Sequence, residues 1–370
     1  MKIGIDASQA NKPHKTGVEW YSYHIIEELK KIDKDNHYFL YTDKPLEGEL
    51  GKCPDNFEEV VLKWWLPRFW TLGRLSLEMK FGKKKPDVLF VPAHTIPLLT
   101  PKRTVVTVHD IGFEHFEHLY PWADKLYHRF SIQVIKRKAD RILTVSNYSK
   151  KDIVDFYNIP KHKVEVVLNG FDNEKYKEMD VADKELEQFK IFGKYILFIG
   201  RLEEKKNTRR LVQAFAKFKN KYSKDEHKLV LVGKQGFGFD RVVEVIEQYN
   251  LQDQVIMPGW VSDSDLPKLL NRASLFIFPS LFEGFGIPVV EAMACGCPVV
   301  CSKTTSLPEA SGAAALMFDP ENIEEMVSRI EQVLLNPVVS ESLTEKGLNH
   351  AARFSWQKCA RETLEVITSV

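Results

Sequence analysis

The chain has 370 residues, 44% of them hydrophobic, and sets 52 Lys and Arg against 51 Asp and Glu. That size and apolar share suit two domains with substantial cores. The near-zero net charge argues against a nucleic-acid partner, which would call for a clearly basic chain. Five cysteines, an odd number with Cys295, Cys297 and Cys301 loosely grouped, read as reduced thiols of a cytoplasmic protein. Cys295 and Cys297 lack zinc-site spacing, so no metal is expected.

In chain order, Lys2 to Asp6 is a strand entered without a signal peptide, and no run reaches the length of a membrane span. A polar loop follows, and Val18, Tyr21, Ile25, Ile26 and Leu29 carry a helical period. Strands are predicted at 37–41, 60–62, 87–91, 103–108, 140–145 and 164–168, several separated by helical segments. Residues 171–194 turn charged with few apolar positions and read as a linker with a short exposed helix. A second series of strands runs through 195–199, 228–232, 255–257, 275–278 and 298–301, and from Asn322 the pattern is helical, broken near Trp356. Strands alternating with helices imply two parallel, doubly wound α/β domains, with ligands at the carboxyl ends of the strands. The boundaries are 1–170, a linker at 171–189, 190–354, and a last helix at 355–370 that either ends the second domain or packs back on the first.

One stretch, Phe278 to Val300, organises the second half. A buried strand ends at Pro279 and Ser280, a turn carries Glu283, Gly284, Phe285 and Gly286, and Pro288 opens a helix that holds Glu291. An acid inside an apolar helix is costly without partners, and sugar or ribose hydroxyls are suitable donors to a carboxylate. Backbone N–H groups at 284–286 and the helix dipole would suit a phosphate. A helix-capping Glu283 with Glu291 on a solvated edge explains the same spacing equally well. Past the strand at 195–199, Arg201 and Lys206 could neutralise a diphosphate, or be balanced by Glu203 and Glu204 in a solvated loop. Lys234, in a glycine-rich loop, is either a further phosphate contact or a surface lysine. His109 stands at a strand end, where most lone histidines are structural.

The two glutamates eight positions apart after Phe278-Pro-Ser, running into Glu291-Ala-Met-Ala-Cys-Gly, resemble the signature of retaining glycosyltransferases of family 4, which have the GT-B fold. Gly200-Arg-Leu, with Lys206-Asn207, resembles that family's phosphate loop, and His109-Asp110 its histidine motif. The likeness spans nearly the whole chain. It implies an acceptor domain first and a nucleotide-sugar donor domain second. It implies that Arg201 and Lys206 stabilise the leaving diphosphate, Gly17 lets backbone approach it, Val261 lies where backbone groups meet the base, Glu283 holds the donor sugar and Glu291 the ribose. His109 would serve the transition state. Retention in hydrolases uses a carboxylate nucleophile; in this family the resemblance implies front-face attack instead, with the diphosphate taking the acceptor proton and no cofactor.

The expected activity is a retaining hexosyl transfer, with GDP-mannose the leading donor and a UDP-hexose next. The acceptor would be a glycan or a lipid-linked glycan of surface polysaccharide synthesis. The alternatives are a sugar-nucleotide epimerase of the same fold and a non-catalytic sugar-nucleotide-binding subunit. Residues 62–85 interleave Trp64, Trp65, Trp70, Phe69 and Phe81 with Lys63, Arg68, Arg74, Lys80 and Lys83 to Lys85; a second basic segment covers 125–141. Such stretches suit an anionic membrane face, here the inner face of the cell membrane, or pack inside the domain with a solvated basic side.

Overall fold

The computed structural model describes residues 1–66 and 69–370; Arg68, counted above among the cations of 62–85, lies outside the described residues. The chain forms two units, Met1–Gly170 with Trp356–Val370, and Phe171–Ser355.

The first unit holds β1 (Lys2–Asp6), β2 (His37–Thr42), β3 (Phe57–Val61), β4 (Val88–Val91), β5 (Thr104–Thr107), β6 (Arg141–Thr144) and β7 (Val164–Val166). All pair in parallel in the order β3-β2-β1-β4-β5-β6-β7. Strands β4 and β5 are buried at every position, as strands covered on both faces must be. The strand order reverses between β1 and β4, which parts the loops that follow these strands and opens a crevice.

The first crossover helix, Gly17–Ile32, starts at a capping box in which the Thr16 N–H donates to Glu19 Oε2 at 3.1 Å. It buries Tyr21, Ile25, Ile26 and Leu29, as its period predicts. The helix Trp356–Ser369, last in the chain, packs against it within the same unit. Trp356 stacks on His24 at 5.0 Å and meets Tyr21 edge-on at 6.0 Å.

The second unit holds β8 (Tyr195–Ile199), β9 (Lys228–Val232), β10 (Val255–Gly259), β11 (Leu275–Phe278), β12 (Val299–Ser302) and β13 (Leu316–Phe318), parallel in the order β10-β9-β8-β11-β12-β13. Its switch point lies between β8 and β11. Strand β13 has no counterpart in the sequence reading.

Residues 171–189, read as a linker with an exposed helix, are instead part of this second unit. Phe171, Tyr176, Val181, Leu186 and Ile191 are all buried. The Asn271 side chain clasps the segment, accepting from the Met179 N–H at 2.8 Å and donating to the Lys177 carbonyl at 3.0 Å. Two short 3-10 turns, Asp183–Glu185 and Glu187–Phe189, stand where a helix was expected. Among the described residues no helix is long and apolar enough to cross a membrane.

Candidate functional site

At the switch point of the second unit, the loop after β8 meets the loop after β11. The Leu281 N–H donates to the Lys205 carbonyl at 2.9 Å, tying the two loops together. This brings Lys206 and Glu283, distant in sequence, into an ion pair of 2.5 Å, with both side chains largely buried. Lys206 also lies 5.4 Å from the ring centre of Phe278. Glu283 therefore does not cap the following helix. The cap of the helix Ile287–Ala294 is Gly286 at φ +109°, where a Cβ would come within 2.6 Å of Leu307.

Two residues beyond β12 shape the same turn. The Glu283 N–H donates to Thr305 Oγ1 at 3.2 Å, and the Ser306 hydroxyl donates to the Glu283 and Phe285 carbonyls at 2.8 and 3.0 Å. Among the described residues the N–H groups of Phe285 and Gly286 donate to no acceptor, so the helix start keeps donors for an anion. Gly284 sits between Glu283 and Phe285 in this turn.

Arg201 is exposed and lies 3.4 Å from Glu203, a surface pairing that leaves its guanidinium open to a ligand. Lys234 is exposed too; its carbonyl accepts from the Leu202 N–H at 2.9 Å, and its ammonium has no ion-pair partner among the described residues. Asn207, beside Lys206, is structural: buried and left-handed at φ +59°, it donates to the Pro320 carbonyl at 2.7 Å. Val261, after β10, is buried, whereas Trp260 before it is exposed.

Glu291 lies in the last-mentioned helix, Ile287–Ala294. Only its edge reaches solvent, and burial pushes its carboxyl up to about 7 against the pull of Lys175. The neighbouring Tyr176 hydroxyl pulls it the same way as Lys175. The solvated-edge reading thus gives way to a carboxyl set among protein groups, short of donors for its charge.

In the first unit, His109 follows β5 and is buried; Nε2 lies 3.2 Å from the carbonyl of Pro92, which follows β4. Its ring meets Tyr21 edge-on at 4.6 Å and His94 at 5.2 Å. His94 in turn lies 6.5 Å from His128. Burial lowers all three imidazoles, His94 to about 3, so the cluster is neutral at pH 7. Asp110 accepts from the Gly112 N–H at 2.8 Å and so turns the chain. Gly17 has an ordinary φ and no atom within 4 Å of a Cβ built on it, so no neighbour in the protein demands glycine there.

Sequence reasoning misses His94, His128, Tyr176, Thr305 and Ser306. For His94 the signal is its place two residues past Pro92 at the end of β4, the position type that singled out His109. Of the three tryptophans at 62–85, Trp65 is 82% exposed. Trp64 lies against Gly73, and Trp70 donates to the Leu62 carbonyl at 2.9 Å while packing on the core.

Two family profiles match the chain: "Glycosyl transferases group 1" over residues 183–350 and "Glycosyltransferase Family 4" over residues 15–175. O-antigen chain mannosyltransferase B of Escherichia coli is 33% identical over 266 residues, 71% of this chain and 69% of its own length. A Campylobacter jejuni protein, N-acetylgalactosamine-N,N'-diacetylbacillosaminyl-diphospho-undecaprenol 4-alpha-N-acetylgalactosaminyltransferase, is 30% identical over 90% of each chain. The chain spans about a third of the Escherichia coli WbdA mannosyltransferases that it also matches. Among solved structures, Anabaena Alr3699/HepE in complex with UDP-glucose superposes over all of both chains with a TM-score of 0.78 at 20% identity, a likeness of fold.

Proposed function

This chain belongs to glycosyltransferase family 4, with a second half of the group 1 type and the two-domain GT-B fold, and we propose that it transfers a hexose from a nucleoside-diphosphate sugar with retention of configuration. Mannose from GDP-mannose is the first choice, supported by the mannosyltransferase name of the Escherichia coli relative. A UDP-hexose is the second, supported by the UDP-glucose held by the structural neighbour. The acceptor is a glycan or lipid-linked glycan of surface polysaccharide synthesis, in keeping with the O-antigen and diphospho-undecaprenol names of the relatives, and the enzyme works at a membrane face.

The observation that carries this reading is the Lys206–Glu283 pair beside the acceptor-free Phe285 and Gly286 N–H groups. A diphosphate leaving group needs cations and fixed donors where its charge develops. Lys206, Arg201 and the helix start supply them, with Lys234 beside the neighbouring strand. Glu283, already gripped by Lys206, accepts from donor-sugar hydroxyls rather than attacking the anomeric carbon. Glu291 accepts from ribose hydroxyls, which provide the donors its buried carboxyl lacks, and the base lies by the backbone near Val261. Neutral His109, its Nε2–H donated to the Pro92 carbonyl, presents Nδ1 as an acceptor for a donor-sugar hydroxyl in the transition state without a competing charge. The sugar C–O bond to the diphosphate breaks as the acceptor oxygen bonds on the same face, and the acceptor proton passes to the departing phosphate oxygen.

The test is a thermal-shift screen with UDP, GDP, ADP, dTDP and their sugar conjugates, beside Arg201→Ala and Glu291→Ala. One nucleotide at 100-fold its Kd stabilises the native state by about 2.7 kcal/mol. A rise with a single nucleotide, absent in both variants, is the expected result. No rise with any of them at millimolar concentration would remove the donor site and with it the proposed transfer.

A further inference from the structure

We propose that the first unit docks on an anionic lipid bilayer through the outer face of the helix Trp122–Lys138. This deepens the membrane contact of the proposed function and rests on that reading, but it moves the contact from residues 62–85 to a different element. Along this helix Trp122, Leu126 and Phe130 are 73%, 55% and 50% exposed. Their spacing of four places them in one stripe, which Gln133 and Arg137 continue, both exposed. The opposite face buries Ser131, Ile132, Val134 and Ile135. An ordinary surface helix shows the reverse pattern, with polar groups on the side away from the core. Three large apolar side chains, each half or more exposed, mark an interaction surface.

Charge selects the occupant. The helix carries five Lys and Arg, at 125, 129 and 136–138, against the single acid Asp124; Glu117 and Glu114 pair with Lys125 and Arg129, and Lys136, Arg137 and Lys138 have no ion-pair partner among the described residues. The first unit as a whole has 29 Lys and Arg against 24 Asp and Glu, while the second has 23 against 27. Two further exposed apolar positions adjoin the stripe. The Lys138 ammonium hydrogen-bonds the Leu98 carbonyl, and the Leu98 and Leu99 N–H groups both reach Ser76 Oγ, at the start of the helix that bears exposed Phe81 with Lys80 5.2 Å from its ring. Aromatic and aliphatic side chains bordered by cations match the boundary between acyl chains and anionic headgroups. A second copy of this surface would bring like charges together, which disfavours self-pairing.

The same helix carries Ala123, Asp124, Tyr127 and His128 into the wall of a cavity of about 590 Å3, beside Asp43 and Lys12. One helix thus separates the lipid-facing stripe from a polar cavity whose wall includes His128, the ring that neighbours His94 and, beyond it, His109. An acceptor glycan carried on a lipid could keep its anchor in the bilayer and place its hydroxyls there.

Co-sedimentation of the full chain with vesicles of phosphatidylcholine alone, or with a quarter phosphatidylglycerol, tests the proposal. The wild type should partition to the anionic vesicles, and less so at high salt. Trp122→Ser with Leu126→Ser and Phe130→Ser should weaken partitioning by at least tenfold, and Arg137→Gln with Lys138→Gln by on the order of tenfold. Unchanged melting temperature and nucleotide-induced shift in each variant show an intact fold and a donor site independent of this face. Equal binding to neutral vesicles, or wild-type partitioning by the triple variant, overturns the proposal. So does a dimer in sedimentation velocity that the triple variant splits while neither protein binds vesicles. A failed nucleotide shift in the wild type would count against the donor site, not against the docking face.

Discussion

The two sheets share one strand order over six strands but carry different side chains at the carboxyl ends of those strands. Between β8 and β11 the second unit sets an opposite-charge pair, Lys206 with Glu283, and leaves helix-start N–H groups without acceptors. The loops at the ends of β4 and β5 in the first unit set neutral imidazoles, His94 and His109, against Tyr21. One arrangement is built to hold developing negative charge; the other keeps charge out. On the proposed reading the same topology divides the labour, and side-chain chemistry decides which half takes the leaving group.

The strongest way to break that comparison is Lys206→Ala. It should lower kcat/KM by about 100- to 1,000-fold, the usual cost of removing one group that stabilises developing charge, and should abolish the nucleotide-induced thermal shift. An equal loss from a charge-neutral change at His109, with Lys206→Ala mild, would reverse the assignment.

His109→Ala should cost less, about 10- to 100-fold in kcat, with nucleotide binding intact. The pH dependence sharpens the point. His94 and His109 titrate below their unfolded value of about 6.5. Such groups add stability above that value, and it is lost as pH falls toward the folded value. Chemical denaturation followed from pH 7 to pH 4 should show the first unit weakening, and His94→Asn should flatten that slope.

The smallest effect concerns Glu291. Its folded pKa, raised to about 7, lies above the unfolded one, so it favours folding below pH 4.5 and loses that advantage as pH rises through 7. Glu291→Gln should therefore raise the melting temperature by a few degrees at pH 8, about 1–2 kcal/mol once partial solvent access is allowed for, with little change at pH 5. The same variant should bind nucleotide more weakly. Calorimetry at pH 7 in buffers of different ionisation enthalpy should show protons released on binding to the wild type only.

The sequence shows the alternating strands clearly because fully buried parallel strands read as apolar runs bounded by turns. Strand β13 escapes because three residues inside the run Ala313 to Phe318 offer no period to count. The segment 171–191 escapes for another reason: its buried residues, Phe171, Tyr176, Val181, Leu186 and Ile191, recur every fifth position. That spacing fits neither a helix nor a strand, so the apolar content looks incidental. At the site, residue types point to the second-unit loops, but the Lys206–Glu283 contact arises only from the β8-β11 neighbour relation. The membrane face proposed above has the same origin: 62–85 is richer in tryptophan, yet packing claims Trp64 and Trp70, while the helix at 122–138 has apolar residues in excess of what its core side uses.

The helix Trp356–Ser369 completes the first unit although 185 residues of the second separate it from Gly170. During synthesis at about 5–20 residues per second, the first unit waits roughly 10–40 seconds for Trp356 to emerge and cover Tyr21 and His24. The ribosome thus delivers the second unit whole before the first can close, and any chaperone needed by a nascent chain would be needed by the half that was made first.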